Sequence, residues 1–343
     1  MVGIWAQMRE HVALSEVGDM ARRAEAMGYD RFSTTELDHD PLLAAGAAVQ
    51  ATQSIEVAIA GLICFPRSPM TTAVAAWDLQ EYSRGRFRLG LSPLVPENIL
   101  QKFSTPWYPP APRMREYIDS LRAIFRCWQD DAPLNYQGKY YQFSRQQGYA
   151  KPKPLEYSQV PIHIGATGPN LAALAGETAA ALYTHPTNTT PKYLREVIQP
   201  NMKKGAERAG RTQDRALLIA NPFTAIASSE SEIQALRENY RQFLGTVFST
   251  PRYWSSLEMF GWPDLGPHLK QLVKENRWQD MKPCITDEIL NTFVATAHYS
   301  EAADVLAQWY GGLVDGIAIP MPRDPVDDKN VAKLIDELRH RLQ

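Results

Sequence analysis

Eight times along this chain a short apolar run stands apart as an extended segment, and most of these runs lead into a helical pattern. No other feature limits the possible folds as tightly. The runs are Val2–Ala6, Arg31–Glu36, Ile55–Phe65, Arg86–Leu91, Val160–Ile164, Ala180–Tyr183, Ala216–Ala227 and Gly316–Pro320. After the first, Ser15 is placed to cap a helix with Val17, Met20, Ala21 and Ala24 on one stripe and Gly28 as its stop. Further helices are expected over residues 41–51, 69–82 and 112–128. A strand that returns through a helix to its neighbour pairs with it in parallel. Eight strands connected mainly in this way predict an α/β chain folded as a closed (β/α)8 TIM barrel.

Two segments interrupt the repeat. Residues 131–157 alternate polar and apolar positions about Gly138, which predicts a β-hairpin inserted after the fourth unit and standing over the barrel's mouth. Residues 237–293 hold short helical patterns with Tyr253, Trp254, Phe260, Trp262 and Trp278, and are expected to form a helical insertion between strands seven and eight. Those aromatics serve either a stabilising cap or a lid over a substrate. With no Gly/Ser linker, low-complexity tract or charge block, residues 1–343 are expected to form a single domain.

Charge and cysteine content narrow the partners. Thirty-six basic and 38 acidic residues give a net charge of −2, without a basic run of the kind that tracks a phosphate backbone, so nucleic acid is not the expected partner. The three cysteines, Cys64, Cys127 and Cys284, are far apart and never form CxxC, which supports neither a disulfide framework nor a zinc knuckle. Cys64 and Cys127 sit in apolar surroundings and are expected in the core. There is no basic-then-apolar leader pattern and no stretch approaching 18 uncharged apolar residues, so a cytoplasmic protein without membrane contact is expected.

Barrel enzymes carry their chemistry at the C-terminal ends of the strands. The most informative of these junctions is VPIHIGATGPNLAALAGE, where a strand runs through Gly165, Ala166, Thr167 and Gly168 into a helix opened by Pro169. The first amides of a helix lack partners, so this junction is suited to an anion such as phosphate, although an ordinary strand-to-helix turn has the same pattern. Elsewhere at the same end lie Gln7, Glu36, Asp38, His39, Asp40, Ala60, Gly61, Ser92, Pro93, Thr184 and His185. Glu36 points either into the mouth or to a nearby arginine; His39 is either a ligand contact or a solvated, ion-paired loop residue. His185 is the stronger candidate, placed where strand six meets the mouth. His163 lies inside strand five, facing a helix or the barrel layer. No HxH pair, inward carboxylate cluster or GxSxG elbow is present, so neither a metal site nor a serine hydrolase is expected.

Four runs in order carry a resemblance: AIAGLICFPRSPMTTAVAAWDLQEYSRGRFRLGLSP, PAPRMREYIDSLRAIFRCW, VPIHIGATGPNLAALAGE and YGGLVDGIAI. Together they resemble the bacterial luciferase-like superfamily of flavin- and deazaflavin-dependent oxidoreductases, across nearly the whole chain and with most similarity to the branch that uses coenzyme F420. The resemblance implies a barrel with insertions and a cis peptide at Ala60–Gly61 beneath the redox ring. Strand four's end at Leu91-Ser92-Pro93 would run beside the ring, and Ala166-Thr167-Gly168-Pro169 would hold the phosphate. It also implies a homodimer acting on a small molecule. The chain departs from the pattern at Ala58-Ile59, where many relatives have Gly-Thr, at Ser92-Pro93-Leu94, which replaces a glycine-rich loop, and at Ala180-Ala181. The acidic-His pair that ends strand two in many relatives is split into Glu36 and the displaced His39.

The expected activity is therefore hydride transfer with F420, or monooxygenation with FMN, at an apolar pocket. Glu36 or His39 would handle the accompanying proton, and Ala60, Gly61, Ser92, Gly165–Pro169 and His185 would bind the cofactor. Two other readings stay open: a non-catalytic ligand-binding relative, and a barrel lyase or hydrolase acting on a phosphorylated substrate.

Overall fold

The computed structural model describes residues 2–8, 11–211 and 214–342. Eight parallel strands close a barrel: Gly3–Gln7, Arg31–Thr34, Glu56–Ile59, Phe87–Ser92, Ile162–Ala166, Ala181–Thr184, Leu217–Ala220 and Gly316–Ala318. Each strand pairs with its neighbours in chain order, the first joins the eighth, and the third pairs with the fourth to complete the ring. The expected barrel is thus the observed architecture.

Two expected strands are broken, both at the end that carries the cavity. The run Ile55–Phe65 stops at Ile59, turns through a cis peptide between Ala60 and Gly61, and resumes as Leu62–Ile63 alongside Leu91 and Ser92. Close approach makes this possible, because a Cβ on Gly90 would lie 1.8 Å from the Ile59 carbonyl oxygen. The run Ala216–Ala227 is likewise two strands. Leu217–Ala220 stays in the barrel, whereas Phe223–Ala227 leaves it after Asn221-Pro222 and pairs in parallel with Val294–His298. A proline cannot donate to a ladder, so Pro222 marks the break.

The hairpin, Tyr136–Gln137 with Gln142–Phe143, does not stand over the mouth. It is pinned to the flank of the helix Pro110–Gln129: the Glu116 carboxylate accepts from the amides of Lys139 and Tyr140, and the Arg113 guanidinium donates to the Tyr141 hydroxyl. The later insertion builds its own core from Leu244, Phe248, Leu257, Leu269, Leu290 and Phe293. Trp254, Phe260 and Trp262 pack against that core, and Trp278 is exposed. Its aromatics serve mainly as a cap.

Inside the barrel, side chains from alternating strand positions form a compact layer of Trp5, Ala58, Ala181, Tyr183, Ile219 and Ala318. Trp5 stacks on Tyr183, with ring centroids 5.8 Å apart, and is tilted against His163 at the same distance. Towards the strands' N-terminal ends, the Glu56 carboxylate bridges Arg31 and Arg88, and the Arg31 guanidinium lies 4.0 Å from the Trp5 ring centre. Burial lowers Arg31 from its ordinary value, with Glu56 opposing the shift. His163 is held well below its usual range by burial and by the two arginines, so the barrel layer contains a neutral imidazole. Cys64 and Cys127 are buried free thiols, as expected. No described helix is long and apolar enough to cross a membrane.

Candidate functional site

The strands' C-terminal ends open into a cavity of about 910 Å³. Ala60, Gly61, Ser92, Gly165, Ala166, Thr167 and His185 all line it, so residues from strands three to six converge on one space. Its floor is built of small residues. A Cβ on Gly61 would meet Leu91 and Ser92 at 3.4 Å, and one on Gly165 would lie 3.6 Å from the Leu91 oxygen. Gly165 is in register with Tyr183 on the next strand and therefore shares its inward face.

Gly168 caps the helix Pro169–Thr178 in extended conformation, and no side chain bonds to the first turn. The helices at Pro41, Pro69, Glu230 and Asp287 differ, with Asp40, Ser68, Ser229 and Thr286 occupying their first amides. A Cβ built on Gly168 would touch nothing within 4 Å, so the helix end faces open space. The Thr167 carbonyl accepts from the Tyr193 hydroxyl at 3.0 Å, which fixes the loop from behind. Unsatisfied amides at a helix start, with the positive end of its dipole, attract an anion. Gly168 and Pro169 sit at the lip and are not among the cavity-lining residues.

Glu36 and His39 part company. Glu36 lines the cavity, but its oxygens accept from the Arg67 guanidinium at 2.8 and 2.9 Å and from the Ile63 amide at 2.7 Å. Arg67 also bonds to Asp40 and to the Ile63 carbonyl, so this cluster clamps the loop after strand two onto the segment beyond the cis bond. His39 does not line the cavity; its Nε2 lies 2.8 Å from the Val12 carbonyl oxygen, tying two loops together.

His185 stacks on Tyr253 of the insertion at 4.5 Å, and its Nδ1 is 2.8 Å from the Thr187 hydroxyl. The Thr187 hydroxyl donates to Asn188, whose amide in turn donates to Ser256, so the imidazole is anchored through Nδ1 at the cavity wall. Burial pushes His185 down to about 4 from 6.5. The unfolded chain then binds more protons than the folded one between those values, and stability should fall as pH drops from about 6.5 towards 4. His163 adds to the same trend. Urea midpoints at pH 7 and pH 5 should show this loss in the native protein and a smaller one in His185→Asn; equal losses would contradict it.

The opposite wall comes from the insertion that the sequence reading left as cap or lid; of its residues at the cavity only Tyr253 was named beforehand, and Asn221, Asn239, Tyr240 and Phe243 were missed. Tyr240, Phe243 and Tyr253 from the insertion face the floor, with Asn221 and Asn239 among them, and Arg252 and Arg323 bring positive charge to the rim. The sequence signal for Asn221 was Pro222, which breaks an apparent strand. Tyr183, an interior-layer residue that also lines the cavity, was missed as well. No group of three or more His, Cys, Asp or Glu among the described residues is placed to hold a metal ion.

Comparison with known proteins follows this geometry. Residues 1–316 match the family described as luciferase-like monooxygenases. An uncharacterized protein of Mycobacterium tuberculosis is 34% identical over 304 residues, covering 89% of each chain. The 5,10-methylenetetrahydromethanopterin reductase of Archaeoglobus fulgidus is 22% identical over 284 residues, covering 80% of each. Among solved structures, the coenzyme F420-dependent tetrahydromethanopterin reductase from Methanopyrus kandleri superposes with a TM-score of 0.81 at 18% identity, covering 100% of this chain and 99% of that one.

Proposed function

Because this chain belongs to the luciferase-like monooxygenase family, we propose that it is an oxidoreductase whose redox group is coenzyme F420, with a small, largely apolar organic molecule as substrate. The observation that carries the reading is the uncapped helix start behind Gly168 opening beside a cavity floored by Gly61, Ser92 and Gly165. A phosphorylated planar ring fits that arrangement. The phosphate would take the first amides of the helix, and a flat ring suits a floor that carries almost no side-chain bulk. Reductases that resemble this chain in sequence and fold, one of them described as F420-dependent, support the deazaflavin over FMN.

When bound, the ring supplies a hydride or takes one up. The chain's own residues do the rest. The Glu36–Arg67 clamp holds the bulge at Ala60–Gly61 in place. Tyr240, Phe243 and Tyr253 close the far wall and exclude water from an apolar substrate. His185, neutral at neutral pH, can accept a proton at Nε2 as a hydroxyl is oxidised. Its anchoring through Thr187 holds the ring at the cavity wall. Glu36 has its oxygens already engaged and His39 lies outside the lining, so neither is placed for this role.

Fluorescence titration with F420 and FMN tests the reading. F420 is expected to bind at least about tenfold more tightly, a difference of about 1.4 kcal/mol. Equal affinities would remove the deazaflavin preference, and no binding of either would end the cofactor reading.

A further inference from the structure

We propose that the Asn221 side-chain amide holds the oxygen of a neutral carbonyl or hydroxyl substrate, an inference that rests on the placing of ring and substrate given above. Asn221 is 7% exposed, and its side chain makes no hydrogen bond among the described residues. It is not sealed, however. The described side-chain atoms that are both shut off from solvent and without a partner belong to Gln80, Tyr183 and Thr224. The Asn221 amide therefore reaches open space, and the space that Asn221 lines is the cavity. A largely buried amide is costly to leave unbonded, so its hydrogen bonds fall to whatever occupies that cavity.

The backbone fixes where this amide stands. The Asn221 N–H donates to the Thr184 hydroxyl at 3.1 Å, and Thr184 directly precedes His185. Ile219 is in register with Tyr183, and both belong to the interior layer. Asn221 lies two positions beyond Ile219, as His185 lies two beyond Tyr183. Side chains alternate along a strand, so the two rise next to each other from that layer into the cavity that both line.

The choice of substrate over ring follows from the neighbours. The floor that suits the ring comes from strands three to five, at Gly61, Ser92 and Gly165. Asn221 follows strand seven, beside the insertion's aromatics. Tyr253 stacks on His185 at 4.5 Å, and Phe223 packs against Tyr240 and Phe243 at 5.2 and 5.7 Å. The amide carries no charge and His185 is neutral at neutral pH, so the pair suits a neutral oxygen and not a carboxylate. An amide donates to a carbonyl through its NH2 and accepts from a hydroxyl through its oxygen, so one side chain serves both members of an alcohol–ketone pair.

Cyclohexanone and methylenecyclohexane, alike in shape but with an oxygen only in the first, test this by ligand-observed NMR titration of the ligand-free protein. Asn221→Leu should weaken the ketone about fivefold, equivalent to about 1 kcal/mol, and leave the hydrocarbon at least as tightly bound. Asn221→Ala repeats the comparison without added bulk. The urea midpoint of the leucine variant and the F420 affinity of both should stay native. A native chain that does not bind the ketone, or variants that change both molecules equally, overturns the inference and leaves the cofactor reading standing. Weaker F420 binding in both variants overturns it as well, since the amide then belongs to the ring site. So does a lower urea midpoint in the leucine variant, because the amide then supports the fold. A native chain that holds the ketone through Asn221 but binds no F420 ends the cofactor reading alone.

Discussion

Gly165→Leu is expected to abolish binding of F420 and FMN, with a loss on the order of 100-fold or more, equivalent to about 2.7 kcal/mol. The reasoning is steric. A Cβ at this position meets the Leu91 oxygen at 3.6 Å and the Ser92 Cβ at 3.8 Å, ordinary contacts that the strand accepts. The remaining atoms of a leucine have nowhere to go but the cavity floor, because Gly165 shares the inward face with Tyr183. The barrel should therefore fold while the ring site is filled. Titration with both rings, alongside a thermal melt followed by circular dichroism, checks the two halves separately. Native affinity in a folded variant would show that the ring lies elsewhere.

Gly90→Ala should do the reverse, damaging the fold directly. The added methyl would lie 1.8 Å from the Ile59 carbonyl oxygen and 3.0 Å from its carbonyl carbon, both backbone atoms of the adjacent strand. No rotamer relieves that contact, so strands three and four must separate where they complete the ring. A loss of about 3 kcal/mol is expected, at the upper end for overpacking a core. Urea denaturation of the ligand-free protein reads it, and an unchanged midpoint would contradict the close approach of the two strands.

The barrel was legible in the sequence because each unit repeats the same physical demand, an apolar strand that must be covered by an amphipathic helix. Val17, Met20, Ala21 and Ala24 are buried as their stripe implied. Boundaries were less legible where a strand is interrupted for reasons outside its own composition. Ile55–Phe65 is apolar throughout, and only the close approach of Gly90 explains why it breaks at Ala60–Gly61. For Ala216–Ala227 the signal was present in Pro222, but the apolar residues on either side masked it.

The site divides along similar lines. Residues 165–169 could be found locally, since a strand, a short loop and a proline-led helix already specify where unpaired amides appear. Glu36 required its partner: Arg67 lies 31 positions away, and no local pattern links them. Tyr183 reads as one more strand aromatic until the interior layer is assembled and its hydroxyl is found without a bond. The insertion's contribution was least legible, because Tyr240, Phe243 and Tyr253 reach the cavity only through the packing of a second core.

The ion bridge of Arg31, Glu56 and Arg88 beneath Trp5 has a kinetic consequence. The bridge closes the underside, so access to the cavity is from the strands' C-terminal ends. On the proposed reading, the occupant resting deepest arrives first and departs last, and turnover is expected to follow a compulsory order with the redox group as the leading reactant.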